Sequence, residues 1–251
     1  MMSLFLVAHQ DDDLIFMNPM IHRSIDSGEK FTTVYLTAGD AGLEDRSYWL
    51  GREEGVRAAY SKMGVKAWRE MGFEYEGRVL KGYESSDARV WLVFFRIPDG
   101  GCYDEACTPS KALEQLWEGK SKSVKSIDGE YSFSRIELVK ALKDLMDYSD
   151  AVTISTHDPF GWIAGCDHVD HYYCGLFGIE AAGILGADLR LFRGYSCDLL
   201  PPNLNVEDIK EKKRVFKAYA EHDPFITKPL DRLCEAWLGR SVWRSAREPN
   251  L

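Results

Sequence analysis

Two short stretches of this sequence carry side chains that could do chemistry together. The first is Ala8-His9-Gln10-Asp11-Asp12-Asp13 and the second is Asp167-His168-Val169-Asp170-His171. Residues three apart share one face of a helical turn, so His9 can meet Asp12, and His168 can meet His171. Neutral imidazole and carboxylate are good ligands for a divalent metal, and three protein ligands with an open fourth position suit hydrolysis. With six histidines and 21 aspartates, a His-x-Asp-Asp run arises by chance about 0.04 times. Aspartates also favour a helix N-terminus through the helix dipole. That bland role explains neither a histidine directly after a buried strand nor a second His/Asp cluster in the same kind of place.

The elements that must position these residues are readable from the pattern. Residues 3–8 form a continuously apolar run, the signature of a strand buried on both faces of a parallel sheet. A helix is expected from about Asp12, interrupted by Pro19 and closed before Gly28. Strands are expected over 31–37, 90–97, 151–155 and 189–192. Helices are expected over 49–63, 111–117, 134–148, 168–184, 206–219 and 230–238. This alternation implies an α/β domain with a mainly parallel sheet between two helical layers, a three-layer αβα, Rossmann-like arrangement. Such sheets bind ligands beyond the carboxyl ends of their strands, where both clusters fall. No linker divides the chain, so residues 1–251 are expected to form one domain, with an irregular inserted segment at about 96–130 that covers the site.

Composition excludes several classes. Hydrophobic residues make up 45% and charged residues 28% of the 251, which is ordinary for a globular chain and rules out disorder or a coiled coil. A chain of this size buries roughly 70–75% of its unfolded surface and needs no metal merely to fold. The net charge of −9 argues against nucleic acid as a partner. The basic group Lys210, Lys212, Lys213 and Arg214 reads as a solvated helix face. The apolar start is too short and too acidic downstream for a signal peptide or membrane span, so no integral membrane segment and a cytoplasmic location are expected. Six cysteines without a CxxC pair read as free buried thiols.

The motifs resemble those of the PIG-L/LmbE-like deacetylases, zinc-dependent enzymes that act on N-acetylglucosaminyl conjugates. The likeness extends through Leu36-Thr37-Ala38-Gly39-Asp40-Ala41-Gly42 to Arg52, and covers the first 65 residues and about 150–185 well. It implies His9, Asp12 and His171 as ligands of Zn2+, with Fe2+ or another divalent metal as a physiological alternative. It implies Asp11 as general base and acid, His168 as the group that polarises the amide carbonyl, and Asp170 as its tuning partner. Arg52 and Asp40 fall where the family contacts its sugar. The implied reaction removes the N-acetyl group from an amino sugar or glycoconjugate, a small-molecule substrate. The alternatives are an amidase of a non-sugar or thiol conjugate or of a longer acyl group, and a non-catalytic carbohydrate-binding protein. A homo-oligomer stays open.

The sequence departs from the family at Gln10 and Val169, which replace prolines, at Asp13, which replaces a glutamate, and at Gly55, where many members have a glutamate. Cys166 stands where some members carry a tyrosine. His157 is weighed mainly as a loop-stabilising residue, with lining of the pocket as the lesser alternative. His22 and His222 are read as structural. Trp49, Trp117 and Trp162 are candidates for a pocket rim, with core packing the commoner fate of tryptophan.

Overall fold

The structure, a computed structural model, describes residues 2–101, 110–226, 232 and 234–247. Its centre is an eight-stranded sheet. In chain order the strands are β1 (Met2–Val7), β2 (Phe31–Thr37), β3 (Trp68–Tyr75), β4 (Arg78–Ser85), β5 (Val90–Ile97), β8 (Ala151–His157), β9 (Asp188–Phe192) and β10 (Trp243–Ser245), with a separate two-stranded ribbon, β6 (Val124–Lys125) and β7 (Ser132–Phe133). The spatial order is β10-β9-β8-β1-β2-β5-β4-β3. The five inner strands, β9 to β5, are parallel, and the edges β10 and β4-β3 are antiparallel. The chain leaves β1 for β2 and β5 on one side, then returns to build β8 and β9 on the other. The order reverses at β1, so a crevice opens between the carboxyl ends of β1 and β8.

The helices form the two outer layers. On one face, α3 (Ala112–Trp117), α4 (Arg135–Tyr148) and α5 (Val169–Leu185) pack on Leu4, Leu6, Val34, Leu36, Val93 and Phe95. On the other, α1 (Met20–Asp26), α2 (Arg46–Lys62) and α6 (Val206–Ala220) cover Phe5, Val7, Phe31, Tyr35, Leu92 and Phe94. All seven residues of β2 are buried, which is why these strands read as unbroken apolar or β-branched runs. Ser134 and Glu137 form a capping box that starts α4, and the Asp45 side chain caps α2.

Most expected elements are present within two or three residues, and the structure differs at several places. The expected helix after β1 is a single π-helical turn, Asp13–Met17, that stops at Asn18, and α1 begins only after Pro19. The β3–β4 hairpin was not expected. Its two-residue turn, Glu76-Gly77, holds both residues at positive φ (47° and 76°), the geometry of a type I′ turn that glycine favours. Lys212, expected on a solvated face, is buried, and its ammonium donates to the carbonyls of Ile15 and Arg240 at 2.7 Å each. Of the cysteines, Cys174 and Cys197 are free and buried as expected, whereas Cys166 is free but exposed. Cys102 and Cys107 lie outside the described residues, as does much of the helix expected at 230–238, of which Cys234–Leu238 is described as a π-helical turn. Among the described residues, no helix is long and apolar enough to cross a membrane.

Candidate metal centre

Asp12 is the hub of the crevice. It is fully buried, and its two carboxylate oxygens serve different partners. Oδ1 lies 3.0 Å from His171 Nε2, and Oδ2 lies 3.1 Å from His157 Nε2 and accepts the backbone N–H of His9 at 2.7 Å. His9 also turns its ring towards Asp12, with Nδ1 3.3 Å from Oδ2. Asp12 sits just before the π-helical turn, and its own N–H turns back to the His9 carbonyl at 3.4 Å, which keeps its carboxylate beside the end of β1. Ligand atoms of His9, Asp12 and His171 all lie within 4.8 Å of one another, so the structure brings the three expected ligands together.

His171 enters from the first turn of α5 and is held from behind. Its Nδ1 pairs with Asp167 Oδ1 at 2.6 Å, which leaves Nε2 facing Asp12. Asp167 is itself fixed by the backbone N–H groups of His168 and Tyr195 and by the Ser196 hydroxyl. Gly194 permits this closeness, because a Cβ there would stand 2.5 Å from His171 Nδ1 and 2.6 Å from Asp167 Oδ1. A carboxylate behind a ligating imidazole is the usual way to set its tautomer and raise its basicity.

The electrostatics call for a cation. Burial alone would raise the Asp12 carboxyl, yet His171, His9 and His157 together hold it well below the usual carboxylate range. Burial likewise pulls His171 down, but Asp12 and then Asp167 lift it to about 9. Burial opposes charge on His9 too, and Asp12 and Asp99 override it and raise that ring well above the ordinary value. Protons held this firmly between carboxylates and imidazoles mark a place that a divalent cation can take instead. The donor set, imidazole nitrogen and carboxylate oxygen, fits such an ion.

The neighbouring residues divide into two groups. Asp11 points away from Asp12 and accepts Nη2 of Arg52 at 2.9 Å. Burial raises its carboxyl, and the Arg52 charge offsets this only in part. The Arg52 guanidinium is fully engaged, with Nη1 on the Gly39 carbonyl (2.7 Å) and Nε on the Tyr219 hydroxyl (2.7 Å) and beside Asp223 Oδ2 (3.1 Å). On the other side, His168 caps α5 with Nδ1, which accepts the Asp170 N–H at 3.2 Å. Burial and the nearby His9 hold its ring at about 4, hence neutral at pH 7 with its proton on Nε2. Asp170 Oδ2 accepts the Gly100 N–H at 2.7 Å and lies closer to His9 Nε2 (3.5 Å) than to His168 Nδ1 (3.9 Å). Its carboxylate therefore supports His9 more directly than His168. Asp40 stands one step back, accepting the Asp99 N–H at 2.8 Å on the wall of a cleft of about 460 Å³ that Glu44, Arg46 and Asp128 also line.

Three site residues were not assigned from sequence. His157 is the last residue of β8, packs flat on His171 with ring centroids 4.2 Å apart, and braces Asp12, a supporting place that neither loop stabilisation nor pocket lining describes. Its place at the last position of β8 was the available signal. Asp99 and Asp167 gave none beyond lying after a strand and before the His168 pair. Asp13 turns away from the cation site and accepts the hydroxyls of Tyr35 (3.0 Å) and Tyr60 (2.8 Å), where burial pushes it to about 7. Gly55 has a steric cause, since a Cβ would come within 2.8 Å of the Tyr219 ring and 3.0 Å of its carbonyl oxygen. Trp49 is buried on α2, Trp117 packs edge-on against Phe177, and Trp162 donates to the His168 carbonyl.

The family model described as PIG-L, GlcNAc-PI de-N-acetylase, matches residues 4–182, a span that contains His9, Asp11, Asp12, His157, Asp167, His168, Asp170 and His171. The chain belongs to the PIG-L family. No curated protein sequence matches this family member. Among solved structures it is similar to the zinc-inhibited form of teicoplanin deacetylase Orf2, with 12% identity over 93% of this chain and 89% of that one and a TM-score of 0.55. It is similar to the N,N'-diacetylchitobiose deacetylase of Pyrococcus horikoshii in complex with its inhibitor MPG, with 18% identity over 89% and 71% and a TM-score of 0.51. It is also similar to GalB, the 4-carboxy-2-hydroxymuconate hydratase of Pseudomonas putida KT2440, with 14% identity over 94% and 82% and a TM-score of 0.51. These likenesses establish the fold, which serves hydrolysis and hydration alike, so the reaction must be argued from the site.

Proposed function

We propose that this PIG-L family member is a zinc-dependent hydrolase that removes the N-acetyl group from an N-acetylated amino sugar or glycoconjugate. One observation carries the reading: Asp12 gathers His9 and His171 at the β1/β8 crevice while the adjacent Asp11 stays outside that cluster, restrained by Arg52. His9, Asp12 and His171 would hold the metal, which supplies Lewis-acid polarisation of the amide carbonyl and acidifies the attacking water.

The remaining work belongs to the chain. Asp11 takes the proton of the attacking water and later delivers it to the departing nitrogen, without which the amine is a poor leaving group. Arg52 holds one oxygen of Asp11, leaving the other to face the water. This makes Arg52 a positioning residue rather than the sugar contact that the family resemblance implies. His168, neutral and with Nε2 protonated, donates to the carbonyl oxygen as charge develops there. Losing such a donor typically costs about 2.7–4 kcal/mol in the barrier. Asp170 orients His9 and, through its backbone N–H, His168. The cleft beside Asp40 offers carboxylates suited to sugar hydroxyls, and the segment expected to be inserted at about 96–130, of which 102–109 lie outside the described residues and the rest carries α3 and β6, selects the acceptor of this single 1–251 domain.

The test measures bound zinc and acetate release together from a panel of N-acetylglucosamine-containing substrates, with N-acyl chains of increasing length as a second panel. Asp11→Ala should keep zinc and lose turnover, and His171→Ala should lose both. Full activity in the chelated wild type or in Asp11→Ala would overturn the reading, and a preference for long acyl chains would move the specificity away from acetyl.

A further inference from the structure

His9 has two ring edges, and only Nδ1 faces Asp12. Nε2 points the other way, is buried, and has no hydrogen-bond partner among the described residues. Around it stand Asp170 Oδ2 at 3.5 Å and Asp99 Oδ1 at 3.6 Å, and Asp99 Oδ1 is in turn 3.7 Å from His168 Nε2. Asp170 Oδ1 is buried without a partner as well. These separations are too long for hydrogen bonds. They match ligand atoms arranged about a common ion, because two atoms about 2.1 Å from a cation at the tetrahedral angle stand roughly 3.4 Å apart.

The arrangement is built from the backbone. The turn after β5 fixes both carboxylates, with Gly101 N–H on Asp99 Oδ1 and Gly100 N–H on Asp170 Oδ2, each at 2.7 Å. The same two glycines keep the space clear. A Cβ on Gly100 would stand 2.6 Å from Asp170 Oδ1, and one on Gly101 would stand 2.6 Å from His168 Nε2. Ligand atoms of His9, Asp99, His168 and Asp170 lie within 4.8 Å of one another.

We propose that His9, Asp99, His168 and Asp170 form a second divalent-cation site, contiguous with the first through the His9 ring, that takes a zinc-class ion and silences the enzyme. It goes beyond the proposed reaction and rests on it only for the identity of the first site. Two nitrogens and two carboxylates suit a borderline transition-metal ion better than Mg2+ or Ca2+. Filling both sites would call on both ring nitrogens of His9 and on Nε2 of His168, whose protons would be released to solvent, so the second ion would bind more weakly than the first. It also removes the donor that would meet the substrate carbonyl, which is why occupancy suppresses turnover.

The experiment counts metal in the full chain after chelation, by calorimetric titration with Zn2+ and by metal analysis after equilibrium dialysis. Wild type should bind two equivalents, the second at least about tenfold more weakly, and Asp99→Asn should keep the first while weakening the second at least tenfold, the scale of a lost polar partner at a metal site. One equivalent up to millimolar zinc in wild type, or a second equivalent unchanged by Asp99→Asn, would overturn the proposal. Should Asp99→Asn fail to fold, the wild type loaded with two equivalents of Mn2+ decides by electron paramagnetic resonance: coupled spins support the shared histidine, and the spectrum of isolated ions refutes it. Because metal rather than product is counted, a failure of the deacetylase reading leaves this outcome untouched.

Discussion

The crevice between β1 and β8 and the β3–β4 wing belong to one sheet but are built on opposite terms. At the crevice, His9, Asp12, His157, Asp170 and His171 are all buried, in contact with one another across three separate stretches of chain. In the wing, Phe73, Tyr75 and Leu80 face the core while the intervening Glu74, Glu76 and Lys81 face water. Burying that many ionisable groups opposes folding unless they are paired. A fold that keeps them there holds them for chemistry, and draws its stability from regions such as the wing. Variants in the two regions should therefore separate activity from stability.

The sharpest break is Asp12→Ala. Removing the oxygens that meet three histidines should release the metal and lower acetate release at least about 10³-fold, well beyond the roughly 10–100-fold that an outer partner is worth. Metal analysis of the purified variant beside its turnover checks this. A variant that keeps both stoichiometric zinc and activity would show that Asp12 is no ligand. The mirror image is Leu80→Ala in the wing. Leu80 is fully buried, so its loss should cost about 2–5 kcal/mol of stability in urea unfolding. Zinc content and KM should stay as in wild type, and a change in either would mean that wing and crevice are coupled.

Arg52→Lys probes the border between the two kinds of region. Lysine keeps the charge but cannot reach Asp11, the Gly39 carbonyl and the Tyr219 hydroxyl at once, as the planar guanidinium does. Turnover should fall roughly 10–100-fold with zinc retained and KM little changed. If KM rises while kcat holds, Arg52 contacts the substrate after all.

What the sequence discloses differs between these regions for a physical reason. β1, β2 and β5 were legible nearly residue for residue because strands buried on both faces leave apolar runs. His9, Asp11 and Asp12 were legible because three chemical groups sit side by side, and His168 to His171 because they repeat that pattern after another strand. Asp99 and His157 are single polar residues at strand ends, and only the closing of the sheet brings them to His9, Asp12 and His171, whereas Asp167 meets His171 from four residues away inside the second cluster, where nothing in the pattern marks its supporting role. Lys212 was misplaced because its charged neighbours hid one position of α6 that turns inward. The wing was missed because β3 and β4 carry charges on their outer face, so neither reads as an apolar run, and the turn between them rests on one glycine.

That glycine gives the smallest effect and the cleanest control. Gly77 sits at φ 76° with open space around its Cβ position, so alanine there meets backbone strain and no clash. The expected cost is about 1 kcal/mol of stability, the penalty of a side chain in the left-handed region. Zinc binding and turnover should be unchanged, since Gly77 lies at the tip of the edge hairpin with no side chain near its Cβ position. If Gly77→Ala instead lowers turnover while stability holds, the wing transmits strain along β5 to the Asp99–Gly101 turn. The division between a stabilising edge and a chemical centre would then fail at that strand.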